Sequence, residues 1–306
     1  MTIEQIIVLA VVQGITEFLP ISSSGHLILV PALTGWPDQG QFTDVMVHLG
    51  TLLAILIYFW RDVWRLILGT LALFTGKVTD DGRLAIYILL ATIPAIAFGL
   101  ALEKLNVPDL ERNVTVVAWN TILYGILMMI ADLVGPQERT IANMTLGSAL
   151  LIGVAQALAL IPGTSRSGVT MTAGRFLGFT RPDSARFSFL LGIPAIASAG
   201  LLKVLEALHN CQKITLDEVE CAVLTFVAGL IAIAFLMAIL RRVSFLPFVL
   251  YRMMLGGFLL VLVYVYGMQL APAPPPAGCP DNNAAASAPA VYAALEPLAL
   301  PQGSGR

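Results

Sequence analysis

Charge is scarce in this 306-residue chain: Asp, Glu, Lys and Arg make up only 12% of it, against 58% hydrophobic residues. A soluble domain carries about a quarter charged residues, so the deficit excludes a water-exposed globule and points to an integral membrane protein. A formal net charge of −2, with the basic residues scattered, excludes the dense basic patch that a nucleic-acid partner requires. Cysteine is nearly absent. Cys211, Cys221 and Cys279 have no metal-ligand spacing, and an odd count cannot complete a disulfide framework. The N-terminus has no basic leader and no small-residue cleavage site, and Gln13 and Glu17 interrupt its apolar run, so no removable signal peptide is expected. The Gly-x-x-x-x-Gly-Lys spacing of nucleotide loops is also missing, so no nucleotide is implied.

What is present is apolar sequence in helix-length pieces. Six stretches, roughly 42–60, 84–103, 114–133, 184–207, 219–240 and 247–269, are long enough for the ~20 helical residues that a hydrocarbon core of about 30 Å demands. Two more apolar regions, roughly 3–33 and 146–179, are broken: the first by Pro20 and a run of serines, the second by Pro162 and Gly163. Helix, polar break and shorter helix is the pattern of a re-entrant hairpin, whose exposed backbone survives at membrane depth only where it lines a cavity. The expected fold class is therefore an all-α polytopic membrane protein with six transmembrane helices and two re-entrant helical hairpins.

Short cytoplasmic loops carry an excess of Lys and Arg. With six crossings, one set of loops holds Arg61, Arg65, Lys77, Arg83, Arg139, Arg175, Arg181, Arg186, Arg241, Arg242 and Arg252. The other holds Lys104, Arg112, Lys203 and Lys213, with Arg306 in the tail. The first set is expected to face the cytoplasm, with both termini outside and the two hairpins entering from opposite faces. After Gly267 the chain turns to Ala and Pro, and residues 271–306 are expected to form a disordered tail that buries too little to order itself, with no support for a short helix near Ala290 to Glu296.

The two broken regions are related. At an offset of 143 residues, Gln13, Ser22, Ser24 and Gly25 fall on Gln156, Ser165, Ser167 and Gly168, a weak internal symmetry of the kind that duplicated membrane folds retain. Inverted repeats at about 1–135 and 136–270 are the expectation. Ile-Pro-Ala-Ile-Ala occurs at Ile93 to Ala97 and again at Ile193 to Ala197, although proline-containing apolar helices are common in membranes.

The symmetry fails at the residues that carry charge. Glu17 faces Leu160 and Ser23 faces Arg166, as if an ancestral unit had divided its chemistry. Ionisable residues at membrane depth are costly, which marks Glu17 and Arg166 as functional. Gln13 and Glu17, spaced by four, share a helix face and can hold a hard cation through oxygen or orient a water. Ser22, Ser23, Ser24 and Gly25 can cap a helix or present hydroxyls and N–H groups to an anion at its start. His26 follows and can donate, accept or attack. His48, in an apolar run without a partner motif, reads as a packing residue. Arg166 offers a planar fork suited to two phosphate oxygens, Gly163 and Gly168 allow close backbone approach, and Thr164, Ser165 and Ser167 add donors. One acid or metal ligand, one nucleophile or base and one clamp make a phosphoryl-transfer inventory, in which catalysis is mostly positioning and charge stabilisation. An amphiphile with a diphosphate head and an isoprenoid or acyl tail fits a site at that depth.

At these residues the chain resembles the undecaprenyl-diphosphate phosphatases of the bacitracin-resistance type. The resemblance rests on Gln13-Gly14-Ile15-Thr16-Glu17-Phe18-Leu19-Pro20-Ile21-Ser22-Ser23-Ser24-Gly25-His26, on Ala155 to Gly168, and on Ala185 to Ala195, and it covers about 1–268. It implies hydrolysis of undecaprenyl diphosphate to undecaprenyl phosphate and inorganic phosphate, which recycles the lipid carrier of cell-wall synthesis and confers bacitracin resistance. It further implies an inner-membrane enzyme with an extracytoplasmic site and a divalent cation, Mg2+ or Ca2+. The family carries glutamate or glutamine four residues before its motif glutamate; Gln13 here leaves Glu17, with Gln13, as the metal-ligand candidate. The catalytic candidates are Glu17, Ser23, His26 and Arg166, with attack by Ser23, by His26 or by water left open. The substrate-binding candidates are Gln13, Ser22, Ser24, Gly25, Gly163, Thr164, Ser165, Ser167 and Gly168. The expected partners are a polyprenyl diphosphate and membrane lipids, and the sequence is compatible with a homo-oligomer. A transporter or flippase of the phosphorylated lipid carrier is the alternative, since many are built from inverted repeats with broken helices.

Overall fold

The computed structural model describes residues 1–36, 40–104, 113–209 and 215–265. Cys211, Cys279 and the Ala/Pro-rich segment 271–306, expected to be a disordered tail, lie outside the described residues.

Among the described residues the regular structure is helical: α1 Ile3–Thr16, α2 Ser23–Thr34, α3 Gly40–Tyr58, α4 Trp60–Phe74, α5 Asp80–Lys104, α6 Val114–Val134, α7 Leu146–Leu158, α8 Arg166–Phe176, α9 Arg181–His209, α10 Leu216–Ile239 and α11 Leu246–Tyr264. Five of these, α5, α6, α9, α10 and α11, are individually long and apolar enough to cross a membrane, which makes this a multi-pass membrane protein. Their outer faces carry exposed apolar side chains such as Leu89, Ile231, Phe235 and Met254, placed for lipid rather than water.

The sixth expected span differs. The stretch near 42–60 does not simply give way to a loop: α3 turns through 82° at Phe59 into α4, so the chain here is one bent pair. Trp60, Trp64, Leu68 and Leu71 are exposed beside Arg61 and Arg65, the amphipathic mixture that settles at a membrane interface. Arg61 and Arg65 thus sit on a helix, where a loop had been expected.

Both broken regions break where expected. Thr2 opens α1 with a capping box to Gln5, and the helix ends before Pro20. Thr145 accepts from Ser148 N to open α7, and Pro162 and Gly163 separate it from α8. α1 packs on α10 and α7 packs on α5, while α3 and α9 meet each other and α6 meets α11. The main core joins both regions: Phe18 and Ile21 from the first and Met171 from the second are buried with Ile55, Phe59, Phe187 and Phe189. Phe18 meets Phe189 edge to face at 5.6 Å.

Two arginines counted above as loop cations are fully buried. Arg175, in the last turn of α8, pairs with Asp132 of α6 at 3.2 Å and donates to the carbonyls of Pro136, Phe179 and Gly135. Asp132 also accepts from Arg181 and from Phe245 N, which ties α6, α8, α9 and the start of α11 together. Arg252, six residues into α11, is buried against the two breaks. A charge count weights every Lys and Arg alike, but these two are satisfied inside the protein and do not report on a loop. Arg186, on the side of α9, pairs with Asp62 of α4.

Candidate active site

The two breaks use the same backbone device. Ser22, just before α2, has φ 76° and ψ 97°; Ser165, just before α8, has φ 71° and ψ 116°. They are the only non-glycine residues with positive φ among the described residues, and they are the pair related by the 143-residue offset. A side chain in this region costs of order 1–3 kcal/mol and persists only when the surroundings hold it. Each serine opens the first turn of the next helix, which bears Ser23 or Arg166; both side chains meet at Glu17, Ser23 within its own break and Arg166 from the other.

Glu17 is the meeting point. It is the residue at the end of α1, 6% exposed, and its two carboxylate oxygens are divided. Oε1 accepts from Arg166 Nη2 at 3.0 Å, an ion pair across 149 residues of sequence. Oε2 accepts from Ser23 Oγ at 2.8 Å and from Gln13 Nε2 at 3.2 Å. Arg166 is steadied from behind by α9, where Nη1 donates to Ser188 O at 3.3 Å. Gly192 is one turn further along α9, and a Cβ there would lie 2.1 Å from Nη1, so the guanidinium occupies the space a side chain would fill. Gln13, Glu17, Ser23 and Arg166 are thereby brought together.

His26 is not part of that group. Its Nδ1 lies 2.7 Å from Ser22 O, which can only accept, so Nδ1 carries the hydrogen and Nε2 accepts from the Tyr251 hydroxyl at 2.6 Å. The His26 and Tyr251 rings stack at 5.6 Å. The second break is used inwardly. Ser165 caps α8 through Gly168 N, Ser167 Oγ donates to Leu19 O of the first break, and Thr164 is buried. Gly163, with φ 84°, approaches α6: a Cβ there would be 2.3 Å from Val117 O. Gly25 packs against the same Val117, and Gly168 against Ser165 and Arg252. The close approach expected of these glycines is thus to neighbouring protein. Ser22 is buried at its strained turn, and the side chain of Ser24 lies outside the described residues.

His48 overturns its reading as a packing residue. Its Nδ1 is 2.6 Å from Asp44 O, and its Nε2 faces Glu17 Oε2 at 3.6 Å, with the ring about one-third exposed. It borders the carboxylate on the side away from Arg166. No local motif marks it, because it reaches Glu17 only through the packing of α3 on α1. Arg252 did carry a signal, an arginine within the apolar stretch 247–269, whereas Tyr251 carried none.

The donor set does not fit a resident cation. Among the described residues no three His, Cys, Asp or Glu side chains converge. Both Glu17 oxygens are engaged, one of them by a guanidinium that a metal ion would displace, and beside them Gln13 Oε1 is a single buried oxygen without a partner, too few for an oxygen-coordinated cation.

An acid, a hydroxyl and an arginine drawn from two strained breaks suit transfer of a phosphoryl group. A family model described as "Bacitracin resistance protein BacA" matches residues 6–258. The chain is similar to an undecaprenyl-diphosphatase of Erythrobacter litoralis, with 49% identity over 85% of this chain and 99% of that protein. It is also similar to undecaprenyl-diphosphatases of Ruegeria pomeroyi, at 46% identity, and of Teredinibacter turnerae, at 45%; each alignment covers 86% of this chain and 100% of the relative. The chain belongs to the BacA bacitracin-resistance family.

Proposed function

We propose that the protein hydrolyses undecaprenyl diphosphate to undecaprenyl phosphate and inorganic phosphate. The observation that carries this reading is the Ser23–Glu17–Arg166 arrangement, in which one carboxylate accepts from a hydroxyl on one oxygen and from a guanidinium on the other. Ser23 Oγ attacks the terminal phosphorus as its proton passes to Glu17 Oε2. The Oγ–P bond forms, the bridging P–O bond breaks, and undecaprenyl phosphate leaves with the bond electrons. Glu17 gives that proton to the departing undecaprenyl phosphate and is a carboxylate again; water then attacks the phosphoserine as its proton passes to Glu17, the Oγ–P bond breaks, and Oγ leaves with the bond electrons and takes the proton back as inorganic phosphate forms. Arg166 holds the phosphoryl oxygens throughout, its fork matching two of them. The hydrogen bonds favour Ser23 over His26 as nucleophile, since the His26 ring nitrogens are engaged by Ser22 and Tyr251.

A divalent cation, Mg2+ or Ca2+, belongs in this reading to the substrate, whose diphosphate carries the oxygen ligands that the chain does not assemble. The fold reading is two inverted repeats, about 1–135 and 136–270, with re-entrant hairpins at 3–33 and 146–179. It is supported by the shared Ser22 and Ser165 backbone and by the exchange of partners, α1 with α10 against α7 with α5. With Arg175 and Arg252 removed from the count, the first set of loop cations still outnumbers the second, which supports an extracytoplasmic site in the bacterial inner membrane.

The test is phosphate release from undecaprenyl diphosphate by the purified full chain, with and without chelator, together with trapping of a phosphorylated residue. Release with label on Ser23 is expected. Movement of the lipid without phosphate release would favour transport and overturn the reading, and label on His26 would reassign the nucleophile.

A further inference from the structure

Arg252 is the buried cation that this chemistry leaves unused. It is 0% exposed, and all of its hydrogen bonds go to backbone carbonyls: Thr121 O at 3.0 Å from Nε, Pro20 O at 3.3 Å from Nη1, and Gly163 O, Thr164 O and Asn120 O at 2.9, 3.2 and 3.4 Å from Nη2. Arg175, the other fully buried arginine, offers the contrast, because it has Asp132. A cation bonded only to carbonyls keeps its net charge, and desolvating it costs several kcal/mol unless some other charge compensates.

The placement of those carbonyls is informative. Pro20 belongs to the first break, Gly163 and Thr164 to the second, and Asn120 and Thr121 to α6 between them. Nη1 also lies 3.3 Å from where a Cβ of Gly168 would be, in the first turn of α8, two residues from Arg166. α6 adds its own hold on the second break, with Asn120 Nδ2 donating to Pro162 O at 2.9 Å. One rigid fork therefore spans both turns that aim Ser23 and Arg166 at Glu17. Lysine, with a flexible stem and a single point of charge, cannot reproduce that fork.

We propose that Arg252 is a positioning residue of the phosphoryl-transfer site, with two separable contributions. Its fork fixes the two breaks in register, and its uncompensated charge lies behind them as a fixed positive potential for the diphosphate. The proposal rests on the reading of the site as a diphosphate-binding one. It does not require Arg252 to touch substrate.

The two contributions predict different kinetics for two variants of the full chain. Arg252→Lys keeps the charge and loses the fork; kcat is expected to fall about 10²-fold through misplacement of reacting groups, with KM close to that of the unmodified protein. Arg252→Met keeps much of the volume and loses both; KM is expected to rise about tenfold in addition. The second readout needs no turnover: the thermal shift produced by inorganic pyrophosphate is retained in Arg252→Lys and reduced in Arg252→Met. A merely structural arginine would lower melting temperature in both variants and leave kcat, KM and the pyrophosphate shift of the folded fraction unchanged, which would overturn the proposal. Should Arg252→Met fail to fold, the kcat-against-KM split of Arg252→Lys decides alone, and unchanged kcat there overturns it. If the unmodified protein releases no phosphate from undecaprenyl diphosphate, the reading of the activity fails, and the pyrophosphate shift still judges Arg252.

Discussion

The two breaks share a backbone and differ in how they use it. In the first, the polar groups face one another across an accessible edge: Glu17, Ser23 and His48 approach, and His26 pairs with Tyr251. In the second, Thr164, Ser165 and Ser167 are buried; the two serines bond to backbone and to each other, Ser167 reaching only the Leu19 carbonyl of the first break, and Arg166 is the side chain that reaches the Glu17 carboxylate. The same strained serine thus opens a helix whose first residue bonds to Glu17 in the first break and a turn bonded mostly inward in the second. Strain in a functional region does not mark every residue near it as functional; the direction of the hydrogen bonds separates the two cases.

The sharpest way to break this comparison is to remove the chemistry from the first break. Ser23→Ala and Glu17→Gln should each lower kcat by about 10³-fold or more, because in the proposed mechanism the two side chains act as a unit. The double variant should be little worse than either single one. Phosphate-release rates that multiply across the double variant would mean that the two act independently. Removing the side chain by which the second break holds Glu17 comes next. Arg166→Ala should cost about 10²-fold in kcat/KM, much of it in KM, and should destabilise the fold, because Glu17 is left buried without its charged partner. If folded Arg166→Ala protein keeps normal KM and turnover, the second break contributes no clamp at all.

How far the residues foretold this site depends on how local each cue was. Gln13, Glu17, Ser23 and Arg166 were legible because polar breaks in apolar helices announce themselves and because the offset aligned them. The helix-length segments were legible for the same reason, through hydropathy. The 82° turn at Phe59 was not, since an amphipathic helix lying against an interface has the composition of a polar loop beside a span. His48 was illegible because its partner is on another helix. Arg252 and Arg175 were counted with the loops although the apolar stretches 247–269 and 146–179 contain them, because a count of basic residues by side does not show that each is satisfied by carbonyls or a carboxylate inside the protein.

A smaller effect probes the edge of the first break. His26 and Tyr251 are hydrogen-bonded to each other and not to Ser23 or Glu17. Tyr251→Phe should therefore lower kcat/KM by only about two- to tenfold, the worth of one ordinary hydrogen bond. A loss as large as that of Ser23→Ala would bring His26 into the reaction and redraw the division between groups that react and groups that hold.

The smallest expected effect is at Ser165, and it tests the scaffold role directly. Its Oγ accepts from Gly168 N while its backbone sits at φ 71°. Ser165→Ala loses the cap and keeps the unfavourable φ, so stability should fall by about 1 kcal/mol with kcat within a factor of about two. Ser165→Gly also loses the cap, but a glycine cap costs only a few tenths of a kcal/mol relative to serine, and glycine adopts positive φ without penalty. The glycine variant should therefore melt at or above the temperature of the unmodified protein and remain active. A kcat loss of about tenfold or more in Ser165→Ala, without any change in melting temperature, would place the second serine in the chemistry and dissolve the distinction between the two breaks.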